Sequence, residues 1–182
     1  MEILVSQSRN PQDNILIITE NPDEINQGYT LSPAEQDFLS ESLKREEQVV
    51  HLARYPQHLI IVHQKADSNK PEHKTLESWR RLAEKGFKAA ESIKSSSIQL
   101  HSMCGQQITL AFLEGFALSA YQFEKHKSKP KPHQLKSIAW TAGDSEALAP
   151  LQAKLKGVFF ARDLVNEPLS HLTAEDLASA IV

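Results

Sequence analysis

Apolar residues fall into segments whose spacing switches between strand and helix periods along the chain. The run Ile15-Leu16-Ile17-Ile18, closed by the turn formers Asn21-Pro22-Asp23, predicts a buried strand over residues 14–19. Ser32-Pro33-Ala34-Glu35 then opens a helix expected to run to about Glu46. Ser32 can cap, Pro33 has the φ of a first helical residue, and Glu35 completes a capping box. Residues 49–53 and 59–63 read as two strands, and the short connection Arg54-Tyr55-Pro56-Gln57 favours an antiparallel pair. After a polar loop over 65–71, Leu76, Trp79, Leu82, Ala83, Phe87, Ala90 and Ile93 trace one face of a long helix. Ser95-Ser96-Ser97 breaks it, and residues 98–101 suit a short strand.

The most apolar helix is expected over 106–123, where Ile108, Phe112 and Phe116 form a ridge. Beside it Ala111, Gly115 and Ser119 form a groove of small residues, expected to let the helix lie close against a sheet. Another strand follows over 135–140. Leu148, Leu151, Leu155, Val158, Phe159 and Val165 then mark a helix, entered near Pro150 and ended at Glu167 by Pro168. Thr173 caps a last helix with Glu175 and Asp176 in its first turn, where the macrodipole favours acids. That helix has no stop signal, and Leu177 and Ile181 have nothing left to pack on. The expectation is a first domain, a connecting helix and the opening of a second domain. Alternation of strands and helices gives an α/β domain with helices covering a mixed sheet, without internal repeats.

Composition narrows the chemistry. With 182 residues the chain fits one domain or a domain with a small appendage. No apolar run approaches the roughly 20 residues of a membrane-spanning helix, and the first residues lack a basic, apolar export signal. A single cysteine, Cys104, excludes an internal disulfide and suits a reducing, cytoplasmic setting. A net charge of -3 argues against a dedicated nucleic-acid binder. The six glycines are dispersed, which removes the usual phosphate-cradling loops.

The tempting residues read blandly. None of the eight histidines (His51, His58, His63, His73, His101, His126, His133, His171) has paired metal-ligand spacing. His58 and His63 flank a buried strand and read as surface or satisfied edge residues. Cys104 stands at a helix start, where a thiol can be activated, yet it lacks a His–Asn partnership and reads as a small half-buried residue. Lys125, Lys127, Lys129, Lys131 and Lys136 crowd a Pro-punctuated loop that can touch phosphate, but without interleaved aromatics it reads as solvated. Trp79 and Trp140 read as core, with their N–H groups paired.

Ala161-Arg162-Asp163-Leu164-Val165-Asn166-Glu167-Pro168, with Leu172-Thr173-Ala174-Glu175-Asp176-Leu177-Ala178, resembles the interdomain segment of the leucyl (cytosol) aminopeptidases. There a run of the type A-R-D-L-V-N-E-P, then L-T-P-x-x-L-A, joins an N-terminal to a catalytic domain. Leu113-Glu114-Gly115-Phe116-Ala117-Leu118 and Tyr121-Gln122-Phe123-Glu124-Lys125-His126-Lys127-Ser128 resemble the family's A-E-G-type helix ending in Y-x-F-x-x-Y-K. The likeness covers about residues 108–178 and is weak before Lys94. Leu169-Ser170 stands where Pro-Asn is common, and Ala174 where proline is common.

The resemblance implies a three-layer α/β/α fold, macro-domain-like, for residues 1–148. It implies an interdomain helix and hinge over 149–170 and the start of a catalytic domain at 171–182. It implies a parent metallopeptidase that removes N-terminal residues with two zinc or manganese ions, acts as a hexamer and binds peptides in its catalytic domain. The family's metal ligands, including those of its N-T-D-A-E-G-R signature, have no counterpart here, so no catalytic, cofactor-binding or metal residue is expected in this chain. The residues alone leave two other classes open: a nucleotide-binding macro-type module and an accessory nucleic-acid-binding domain.

Overall fold

The computed structural model describes residues 1–8 and 13–181; residues 9–12 and Val182, within the expected first and last segments, lie outside the described residues. Among the described residues six strands form one sheet in the order β1-β6-β5-β2-β4-β3: β1 Glu2–Ser6, β2 Ile15–Thr19, β3 Val49–Ala53, β4 His58–His63, β5 Ser97–Ser102 and β6 Ser137–Thr141. All neighbours run parallel except β3 and β4, which pair antiparallel with Val50 opposite Ile61. The sheet is mixed, as the short β3–β4 connection requires. Strand β1 was not read from the sequence. It is a five-residue edge strand whose partner, β6, lies far along the chain, with Ile3 beside Ile138.

Among the described residues the α-helices are α1 Ile25–Gly28, α2 Pro33–Lys44, α3 Glu72–Ser92, α4 Gln106–Ser119 and α5 Ser145–Asn166, with α6 Ala174–Ile181 following and burying no residue. Alternation along β2 sends Leu16 and Ile18 to one face, where they meet Trp79, Phe112 and Leu151 from α3, α4 and α5. Ile15 and Ile17 face the other way, toward Ile25, Tyr29, Leu31 and Leu39. A central strand covered on both faces needs no polar side, which is why β2 is apolar throughout. The layers are therefore α/β/α.

The local signals behave as elementary chemistry requires. Ser32 Oγ accepts from the Glu35 N–H while Glu35 Oε2 accepts from the Ser32 N–H at 2.8 Å. Helix α2 ends at Lys44, two residues short of the expected end, and Glu46 takes a left-handed φ of 59°. Strand β6 begins at Ser137, because the Gln134 and Leu135 N–H groups donate to Glu91 instead of to the sheet.

Three expectations are corrected. Helix α4 stops at Ser119, not 123. Its last carbonyls are taken by side chains: Ser119 Oγ donates to the Gly115 carbonyl at 2.7 Å and Arg162 to that of Leu118 at 3.1 Å. The small-residue groove of α4 serves a neighbouring helix, not the sheet. A Cβ on Gly115 would lie 2.1 Å from the Arg80 carbonyl oxygen of α3. Helix α5 begins at Ser145, with Asp144 capping it by accepting from the Glu146 N–H at 2.9 Å. Pro150 is therefore inside the helix. Proline removes only its own N–H and crowds one carbonyl, and burial of Leu148 and Leu151 on either side outweighs that local cost.

Candidate functional site

In an open α/β sheet, ligands bind beyond the carboxyl ends of the parallel strands, where successive connections depart in opposite directions. Here that point lies between β2 and β5, since the chain turns toward β4 after β2 and toward β6 after β5. The polar groups at this crevice are spent on one another. Thr19 Oγ1 accepts from the Asn21 N–H at 3.0 Å, and Met103 N–H donates to the Ile18 carbonyl at 2.9 Å. Ser102 Oγ accepts from the Cys104 N–H at 3.1 Å and lies 2.6 Å from Thr109 Oγ1.

Beside it, between the ends of β5 and β6, a cavity of about 330 Å³ is lined by His101, Ser102, Cys104, Gln106, Trp140 and Asp144 among others. Asp144 Oδ2 accepts from Gln106 Nε2 at 3.1 Å, so a carboxylate stands near the amino end of α4. Tyr29 OH is hydrogen-bonded to His101 Nδ1. Burial, and then the carboxylate of Glu20, push the Cys104 thiol up to about 12. A protonated thiol is a poor nucleophile. The uncapped start of α4 does not activate Cys104, because desolvation and a neighbouring anion act against the thiolate.

A second polar concentration lies where α5 meets the loop after α4. Tyr121 OH donates to Asp163 at 2.8 Å and stacks on Phe159 at 5.7 Å. Lys125 and His126 both reach Glu167, the residue that ends α5. Hydrogen bonds from Lys125 and His126 hold the Glu167 carboxyl below the usual carboxylate range. A third ties three helices together: Glu114 accepts from Arg80 at 2.8 Å and from Lys154 at 2.7 Å. Among the described residues no group of three or more His, Cys, Asp or Glu side chains is placed to hold a metal ion.

No family model matches the chain. Curated relatives do. A protein of Dinoroseobacter shibae named "Probable cytosol aminopeptidase" is 41% identical over 80 residues, 42% of this chain and 16% of that protein. A similarly named protein of a Bradyrhizobium strain is 37% identical over 71 residues, 35% of this chain and 14% of its own length. Among solved structures, a mutant of tomato leucine aminopeptidase superposes with a TM-score of 0.67 at 18% identity, covering 98% of this chain and 41% of that one. The bottromycin maturation enzyme BotP, in complex with manganese, gives 0.63 at 18% identity, covering 93% and 35%. The chain is similar to cytosol aminopeptidases in sequence over part of its length and shares the fold of a leucine aminopeptidase over nearly all of it. It spans well under half the length of the aminopeptidases it matches.

The motifs that carry the likeness to leucyl aminopeptidases fall on the α4–α5 side of the molecule. Glu114 and Gly115 make the α3–α4–α5 contact, while Tyr121, Arg162, Asp163, Asn166 and Glu167 make the junction at the end of α5. The motifs contain these residues but carry no sign that they touch. Their acids and bases are spaced about forty residues apart, and spacing of that order carries no contact information.

The lysine loop is less cationic than it reads. Lys127 pairs with Glu124 at 2.7 Å and Lys125 with Glu167. Glu124 also accepts from the Lys131 N–H at 3.0 Å. Of the histidines, His51 Nε2 and His58 Nδ1 pair across β3 and β4 at 2.9 Å, and His63 Nε2 donates to the Glu47 carbonyl at 2.7 Å. His133 lies 3.4 Å from Glu91 and edge-on to Phe87. Trp140 is core, and so is Trp79, fully buried edge-on to Phe112; among the described residues its Nε1 finds no partner. The expectation of a paired indole N–H fails there, in a site lined by the apolar side chains of the core.

Proposed function

We propose that the chain is the non-catalytic N-terminal part of a metal-dependent leucyl aminopeptidase, supporting assembly or substrate access. On this reading residues 1–148 form the accessory domain, 149–170 the connector and 171–182 the opening of the catalytic domain. The catalytic domain would hold two zinc or manganese ions and remove N-terminal residues from peptides in the cytoplasm, within a hexamer. Two adjacent metals can activate a water, bind the free amine and polarise the scissile carbonyl. The observation that carries the reading is the 41% identity to a cytosol aminopeptidase over 80 residues, joined to a fold likeness across 98% of the chain. Among the described residues no helix is long and apolar enough to cross a membrane.

The reading makes a direct prediction. The 182-residue chain does not hydrolyse leucine p-nitroanilide with added manganese or zinc, whereas the protein extended through the reading frame that follows Val182 does so in a chelator-sensitive way. Activity in the chain alone, or an extended protein that lacks both N-T-D-A-E-G-R and hydrolysis, would refute it.

A further inference from the structure

Strand β3 closes one edge of the sheet, and among the described residues its neighbouring strand is β4. In that antiparallel ladder His51 stands opposite Ile60 and Ala53 opposite His58, so the two histidines sit diagonally on one face. Diagonal partners are within reach of long or ring-bearing side chains. Here they meet: His51 Nε2 and His58 Nδ1 are 2.9 Å apart, with ring centroids 5.0 Å apart and planes 40° apart. Val50 and Leu52, on either side of His51, are buried against the opposite face, which pins the register and with it the place of His51. The His58 N–H donates to Asn14 Oδ1 at 3.0 Å, which ties its backbone to the segment before β2.

Two imidazoles this close can do more than share a hydrogen. A neutral ring has one N–H and one nitrogen with a lone pair, and either nitrogen can carry the hydrogen. When the donor ring moves its hydrogen to its far nitrogen, both facing nitrogens present lone pairs, and no proton is gained or lost. Imidazole nitrogens bind a transition-metal ion at about 2.0–2.1 Å. Two of them in adjacent positions of a tetragonal ion stand about 2.9 Å apart, and on a tetrahedral ion about 3.3 Å. The spacing of this pair meets the first value and lies within a few tenths of an ångström of the second. The rings need only turn until their lone pairs converge. A ladder that already holds both side chains together lowers the ordering cost of binding.

We propose that His51 and His58 form a two-point site for a divalent transition-metal ion that favours imidazole (zinc, nickel or copper), and that the ion fastens the edge strand β3 to β4. Water completes the coordination, since no cluster of three or more His, Cys, Asp or Glu side chains occurs among the described residues. Such a site binds more weakly than a closed one with four protein ligands. Seven positions and a turn part the two histidines, so the sequence alone shows no metal-ligand spacing there.

Zinc chloride titrated calorimetrically into the 182-residue chain should show saturable binding of about one equivalent. Long-range proton–nitrogen spectra of the rings should then show His51 metallated at Nε2 and His58 at Nδ1, each with its hydrogen on the other nitrogen. His51→Ala and His58→Ala should each weaken zinc binding by at least about tenfold, since losing even a supporting partner of a ligand costs that much. His171→Ala, which removes one ring of the stacked pair with His126, should leave it unchanged. Zinc should also slow exchange of the Arg54 N–H, which donates to the Gln57 carbonyl at the β3–β4 turn. Urea midpoints without metal establish that each variant folds, and the ring spectra of the parent chain decide the matter if one does not. No saturable binding would reduce the pair to a hydrogen bond, and binding that survives both substitutions would place the ion elsewhere; either result overturns the proposal. Peptide hydrolysis is not read at any step, so failure of the aminopeptidase reading and failure of the metal site are separable.

Discussion

Gly115 shows how much one residue decides. A methyl group there would sit 2.1 Å from the Arg80 carbonyl oxygen, whereas one on Gly157 would meet nothing within 4 Å. Gly115→Ala must push α3 and α4 apart and should destabilise by about 2–3 kcal/mol, as overpacking does. Gly157→Ala relieves only helix entropy and should stabilise by up to about 1 kcal/mol. Opposite shifts in urea midpoint check the pair. Cys104 gives a second prediction at this scale. With its thiol pushed up to about 12, alkylation at pH of about 8 should be at least about a hundredfold slower than for a free thiol in denatured chain. Rapid labelling of the folded protein would contradict it. The sequence placed Cys104 near a helix start, but it could not show that Glu20 and burial surround the sulfur.

At the scale of elements, the start of α2 joins a local signal to a distant one. The capping box of Ser32 and Glu35 follows from four adjacent residues and was legible for that reason. Arg54, in the β3–β4 turn, then donates to Glu35 Oε2 at 2.9 Å and to the Thr30 carbonyl at 3.0 Å. Side-chain bonds from Arg54 lower the Glu35 carboxyl to about 2, against the opposing effect of burial and with help from Ser32. The folded state thus holds this proton more weakly than the unfolded chain. The stabilisation is complete above the unfolded value near 4.5 and is lost as pH falls toward about 2. Discounted for solvent around a surface pair, it amounts to about 1–2 kcal/mol. Glu35→Gln should remove that part of the acid dependence of unfolding; an unchanged profile would show that the pair contributes nothing. The α5 boundary was misread for the converse reason. Pro150 is a local stop sign, and the burial of Leu148 and Leu151 that overrides it belongs to the tertiary structure.

For the whole molecule, the sheet places its carboxyl-end crevice beside β2, β5 and β6, and the carboxylate there works against diphosphates. Asp144 puts a carboxylate in the cavity and the crevice hydroxyls bond one another, while Ala142 in the cavity wall takes a left-handed φ of 53°. One left-handed residue beside a carboxylate makes no nest for a phosphate, because the Asp144 anion repels it. ADP-ribose should therefore give no saturable heat in titration calorimetry at high protein concentration, and a micromolar constant would revive the macro-module reading.

Element types, most boundaries, the two caps and the mixed sheet were determined by the sequence, because each rests on residues within one or two turns of one another. The layered α/β class followed from their alternation, and the likeness to aminopeptidases from short contiguous runs. Tertiary structure decided the rest. Strand β1 has a partner more than a hundred residues away and only one fully buried side chain, Ile3, so its five residues carry too little pattern to be read alone. The α4 groove showed that something approaches closely, but only packing made the neighbour α3 and not the sheet. The Glu167 junction joins residues that spacing cannot relate, since a contact across some forty residues is set by where two helices end in space.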